Sequence, residues 1–147
     1  MKRGLFLLSC AAALAVFLQA PQLYGATHLN DGMRALVDGY LAQAKRQDPS
    51  VKALSAQSGK KFFNSKRAHS VKKEDRSCSM CHTADPTQSG KTPVGKVIEP
   101  MAPSVNKERF TDPKKVEKWF KRNCEYVLER ECTPKEKGDF ITYMLSL

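Results

Sequence analysis

Two thiols and an imidazole fall within five consecutive residues, Cys78-Ser79-Met80-Cys81-His82. Thiols three positions apart can each add across a vinyl group on one edge of a porphyrin. The residue that follows then lies beneath the ring, where an imidazole nitrogen can bind iron. The spacing predicts one covalent haem c, with thioethers at Cys78 and Cys81 and His82 as the proximal iron ligand. Two other chemistries use the same spacing. A thioredoxin-like redox pair normally follows a strand in a βαβ unit, and no such pattern occurs here. Half of a zinc site needs a second close pair of ligands, which the remaining cysteines do not form. With one attachment motif, one haem is expected.

The other histidines, His28 near the start of the mature chain and His69 in a basic loop, could each serve as an iron ligand, but their ordinary reading is solvent-exposed residues. For the opposite face of the iron, Met101 in Glu99-Pro100-Met101-Ala102-Pro103 occupies a loop position where small electron-carrying cytochromes keep a thioether ligand. Its alternative is a methionine that lines the pocket and fills irregular space.

The elements that must position these groups follow from apolar periodicity. From Leu29 to Ala44, apolar residues recur at three- and four-residue spacing, which predicts an amphipathic helix capped by Asn30 or Asp31 and ended by Asp48-Pro49-Ser50. A second helix is expected over Leu54 to Asn64, with Gly59 placed for a close approach to the C-terminal helix near Phe140 and Tyr143. The stretch from Ser65 to Ser77 reads as loop. So does the Pro-, Gly- and Lys-rich run from Thr83 to Thr111, a length tolerable in a compact fold when it wraps a prosthetic group. Thr111-Asp112-Pro113 opens a helix reaching about Leu128, and Thr133-Pro134-Lys135-Glu136 is a capping box for the last one. No convincing strand and no repeat is present, so the expected class is all-α; together with the attachment motif, the pattern resembles a class I cytochrome c-like fold around one haem. Trp119 is expected either against the porphyrin or as a buried indole.

The chain has 147 residues and suits a single small domain. Lys2 and Arg3 precede an apolar run from Leu5 to Leu18, followed by Gly25 and Ala26, the order of a secretory signal peptide. Residues 1–26 are therefore expected to be removed, leaving a domain over 27–147 in the periplasm. Cys10 is an unsuitable lipidation site because the apolar run continues past it. Loss of Lys2 and Arg3 leaves 23 basic residues against 15 acidic ones, lowering the formal charge from +10 to +8. Export and the cysteine pattern argue against nucleic acid as partner. Lys114, Lys115, Lys118, Lys121 and Arg122 crowd one helix, either as a solvated face or as a docking surface for an acidic electron donor.

Gly90-Lys91, Gly95-Lys96, Pro100-Met101-Ala102-Pro103-Ser104, Arg109-Phe110-Thr111-Asp112, Val116-Glu117-Lys118-Trp119 and Arg122-Asn123-Cys124 follow one another in order. With Glu131-Cys132-Thr133-Pro134 and Glu136-Lys137, they resemble the oxygen-binding cytochromes of the sphaeroides haem protein type, across roughly residues 30–147. Taken alone, Asn123 reads as a helical polar residue whose side chain caps a carbonyl. The resemblance implies that it is the sixth ligand of ferric iron, released on reduction to leave a position for oxygen or nitric oxide. It implies, too, a disulfide between Cys124 and Cys132, which an oxidising compartment would permit, and a dihaem cytochrome c or a membrane cytochrome b as redox partner. The chain departs from some members in having Met101 where an apolar residue such as Leu can stand.

A neutral amide is a hard, weak donor, tolerable to ferric and poor for ferrous iron, whereas a thioether favours the reduced state. The expected function is electron transfer with oxygen or nitric oxide binding after Asn123 leaves. The alternative is an electron shuttle with permanent His82/Met101 ligation. Turnover of oxygen or a nitrogen oxide lacks an obvious proton donor in the sequence.

Overall fold

The computed structural model describes residues 29–147; the expected leader at 1–26 and His28 lie outside the described residues. Its helices, in chain order, are α1 (Asp31–Gln47), α2 (Ala56–Asn64), α3 (Ser79–His82), α4 (Pro113–Leu128) and α5 (Pro134–Leu145). Strand β1 (Arg67–Ala68) pairs antiparallel with β2 (Asp75–Arg76), and β3 (Gly90–Lys91) with β4 (Val97–Ile98). These two-residue ladders fall inside the segments expected to be loop. They are turns stiffened by a few hydrogen bonds and form no sheet layer, so the class is all-α.

Each long helix starts where a side chain can satisfy its free amides. Asn30 accepts from Met33 N at 2.9 Å for α1. Asp112 accepts from Lys114 N and Lys115 N for α4, with Pro113 supplying a preset φ at the first helical position. Thr133 and Glu136 exchange hydrogen bonds of 3.2 and 2.8 Å in the capping box of α5. The second helix begins at Ala56, two residues later than its apolar pattern suggests. Ser55 caps it by accepting from Ser58 N, which leaves Leu54 outside the helix with its methyls against Gly138.

The most extensive helix contact joins α2 to α5, and α1 also packs on α5. Gly59 permits the first, because a Cβ there would lie 2.0 Å from the Asp139 carbonyl oxygen and 2.8 Å from Tyr143 Cβ. Asp139 is itself buried, and its carboxylate accepts from Ser55 N at 2.8 Å and from Lys135 at 2.5 Å, so the buried charge is partnered. Phe140 is the hub of the core. Its ring lies 5.5 Å from Phe120, 6.1 Å from Phe63 and 6.2 Å from Phe110, tilted or edge-on in each case. Such pairs contribute about 0.5–1.5 kcal/mol each beyond simple burial. At the outer edge, Glu117 on α4 accepts from Tyr40 on α1 (2.5 Å) and Lys137 on α5 (2.7 Å), binding three helices through one carboxylate. Burial opposes ionisation of Glu117, yet the two donors outweigh it and hold the carboxyl below its usual range.

Candidate functional site

A cavity of about 660 Å³ opens between α3, α4 and the long loop after His82, within the size range of cofactor sites. Cys78, Cys81 and His82 form part of one wall. Cys81 N and His82 N both donate to Cys78 O, which winds the segment into one turn and puts the two thiols on the same side. Neither is in a disulfide. Burial pushes Cys78 up to about 11 and raises Cys81 as well. A redox-active pair needs the opposite shift, toward the thiolate. No group of three His, Cys, Asp or Glu side chains converges among the described residues, so the pair also lacks the companions of a zinc site.

His82 lines the same cavity. Burial, reinforced by the positive charge of Arg109, pushes its pKa down to about 4, so the imidazole is neutral with a free electron pair at ordinary pH. Its Nδ1 is buried with no hydrogen-bond partner among the described residues. A neutral imidazole on the wall that carries the two thiols offers an electron pair that iron can take. The two thiols, the neutral imidazole and the largely apolar lining therefore fit a covalently attached haem.

What fixes His82 was not legible as site chemistry. Gly90 in β3 packs flat against the back of the turn: a Cβ there would lie 1.8 Å from Cys81 O and 2.9 Å from His82 Cα. Phe63, fully buried, places its ring 6.5 Å from the imidazole. Arg109 appeared in sequence only within a shared motif. It donates to Pro100 O at 2.8 Å and to Glu99 O at 2.6 Å, pinning the loop that carries Met101. A lone arginine in a Pro-rich loop carries no signal of that bond in one dimension.

Helix α4 supplies the facing wall through Val116, Trp119, Phe120, Asn123, Cys124 and Val127, one helical face at three- and four-residue spacing. Asn123 supplies the uncharged amide on this helix, whose lining residues also include Lys115 and Tyr126. It stands mid-helix, whereas the C-cap is Glu129, so a terminal capping role does not describe it. Met101 lines the cavity too, with its amide bonded to Pro86 O. Trp119 is not a buried indole: it is 47% exposed at the cavity wall, with the Arg122 guanidinium 5.2 Å from its ring. The structure does not bring His69 to the cavity. Its side chain, expected in solvent, is largely covered and lies 3.3 Å from Glu129 Oε1. A disulfide joins Cys124 to Cys132 across eight residues, tying α4 to the start of α5.

The family model described as "Domain of unknown function (DUF1924)" matches residues 49–144. "Cytochrome c-type protein SHP" of Cereibacter sphaeroides is 39% identical over 131 residues, covering 89% of this chain and 93% of that protein. "Cytochrome c''" of Methylophilus methylotrophus is 42% identical over 127 residues, covering 84% and 88%. The crystal structure of oxidized cytochrome c'' aligns with a TM-score of 0.71 at 41% identity, covering 77% of this chain and 92% of that one. The structure of oxidized SHP, described as an oxygen-binding cytochrome c, aligns at 0.66 and 39% identity, covering 76% and 94%. Identity at this level over nearly the whole of both relatives, on the same helical fold, shows that the chain belongs to the SHP and cytochrome c'' family of c-type cytochromes and carries one covalent haem c.

Proposed function

We propose that this protein is an exported electron carrier that binds oxygen or nitric oxide at the haem iron once reduction releases Asn123. Cys78 and Cys81 would hold the haem through thioethers, and His82 would bind the iron on the attachment side. The haem, when bound, would supply an iron that can change between ferric and ferrous states. His82 serves as the permanent ligand because its buried, neutral imidazole keeps the same protonation state across physiological pH. Asn123 offers an amide oxygen, a hard and weak donor that ferric iron tolerates and ferrous iron releases.

The observation that carries this reading is the position of Asn123, whose uncharged amide, mid-helix on α4, lines the same cavity as His82. The disulfide just beyond it restricts how far α4 can swing, and a covalent bond of that kind suits an oxidising compartment such as the periplasm. One relative is described as an oxygen-binding cytochrome c, and a solution structure of cytochrome c'' is described in terms of haem-ligand detachment. Removal of residues 1–26, a mature domain over 27–147, and a dihaem cytochrome c or membrane cytochrome b as electron donor belong to the same proposal.

Met101 supports the second reading, a shuttle with permanent His82/Met101 ligation, since it also lines the cavity. Spectra of two variants decide. Asn123→Ala should convert the ferric protein to a high-spin form, while Met101→Leu should leave it low-spin and leave ferrous carbon monoxide binding intact. A sulfur-to-iron charge-transfer band in the wild type that Met101→Leu abolishes, with Asn123→Ala silent, would establish the shuttle instead.

A further inference from the structure

Arg76 is 6% exposed, unusual burial for a guanidinium, and it stands two residues before Cys78. Its Nε and Nη2 donate to Glu74 Oε1 at 3.0 and 2.7 Å, which holds the fork in one plane. Nη1 reaches across the molecule to Tyr126 O at 3.0 Å, and the guanidinium lies 4.0 Å from the centre of the Tyr126 ring. Tyr126 is in the last turn of α4, where carbonyls lack intrahelical partners and the helix dipole favours positive charge. The same hairpin makes a second attachment: Ser70 donates through its amide (2.8 Å) and hydroxyl (2.5 Å) to the carboxylate of Glu129, the residue that ends α4.

The β1–β2 hairpin therefore grips the C-terminal turn of α4 at two points, immediately ahead of the thiols. We propose that Arg76 is a positioning residue that sets the register between the Cys78–His82 turn and the helix carrying Asn123. The inference rests on Asn123 being the distal ligand. One end of Arg76 belongs to the chain that leads into Cys78, the other to the turn that follows Asn123. A charge-assisted hydrogen bond from a buried guanidinium fixes that separation in direction as well as distance, which apolar contact does not. Loss of the clasp frees the end of α4 to drift, and a weak amide ligand is sensitive to such drift.

The test uses the holoprotein with ferric spin state as readout, beside the denaturation midpoint. Asn123→Ala provides the high-spin reference. Arg76→Met should raise the high-spin to low-spin ratio of ferric protein by about tenfold, as expected for a lost charge-assisted hydrogen bond. Arg76→Lys, which keeps the charge but not the fork or the ring stacking, should raise it by a few-fold and decides the matter if Arg76→Met does not fold. An arginine that only stabilises the fold would lower the denaturation midpoint and leave the native ferric spectrum unchanged, and that result overturns the inference. If Asn123→Ala itself stays low-spin, the ligand assignment and this inference fall together. If Asn123→Ala turns high-spin while both Arg76 variants match the wild type, only this inference falls.

Discussion

Substituting Gly90 by alanine inserts one methyl group between β3 and the haem-attachment turn, and the structure sets its cost. The new Cβ would stand 1.8 Å from Cys81 O, 2.8 Å from Cys81 C and 2.9 Å from His82 Cα. Cβ atoms essentially never approach other atoms within 3.0 Å, so at least 1.2 Å must open against Cys81 O. All three opposing atoms are backbone, and no rotamer change can relieve them. Overpacking of a close-packed site costs about 1–3 kcal/mol, and a backbone clash belongs at the upper end. Against this, alanine restricts the unfolded chain, which favours folding by about 0.4–1 kcal/mol. The net loss should be about 2 kcal/mol, a drop of roughly 8 °C in Tm for a domain of this size. The displacement falls on Cys81 and His82, so axial ligation should change with stability. Thermal unfolding followed by circular dichroism, together with ferric and ferrous spectra of purified holoprotein, measures both. A Gly90→Ala protein with wild-type Tm and wild-type spectra would refute the close-approach reasoning.

At Gly39 in α1, by contrast, a Cβ meets nothing within 4 Å, so Gly39→Ala should stabilise the protein by about 1 kcal/mol through helix propensity, read as a higher denaturant midpoint. Removing the disulfide by Cys124→Ser with Cys132→Ser reopens an eight-residue loop in the unfolded chain and should cost about 2.5 kcal/mol, checked by guanidinium chloride denaturation of variant and wild type. Glu117 titrates below its usual 4.5 when folded. Its contribution is present above pH 4.5 and disappears as pH falls through the lower folded value, because the unfolded chain takes up the proton first. Unfolding midpoints of wild type and Glu117→Gln should therefore differ at pH 7 and converge toward pH 3; a gap that stays constant would remove the ionised carboxylate from the account.

Legibility in the sequence followed the range of the interaction. Helix starts were readable because caps act within three residues: Asn30, Asp112-Pro113 and Thr133-Pro134-Lys135-Glu136 each form the bonds their types suggest. Gly59 was readable as a close crossing because a glycine inside an amphipathic helix has few other uses, and Asp139 and Tyr143 do press against it. The burial of His69 escaped notice because its partner, Glu129, lies sixty residues away. Arg76 and Arg109 escaped for a related reason. Both bond to backbone carbonyls, which carry no trace in the sequence of side chains.

By itself the sequence determined the chemistry that local spacing controls: two thiols and an imidazole on one helical turn, the ends of the long helices, and the class of fold. Residues a few positions apart meet whatever the rest of the chain does, so their geometry is written in their order. Tertiary structure alone decided which side chains share the cavity with His82. Asn123 and Met101 reach it from segments of the chain far apart in sequence, and only the packing of α2 on α5, the loop held by Arg109 and the clasp on α4 bring them to the same walls. Contacts of that range depend on the sum of many weak burial terms, and no short pattern encodes such a sum.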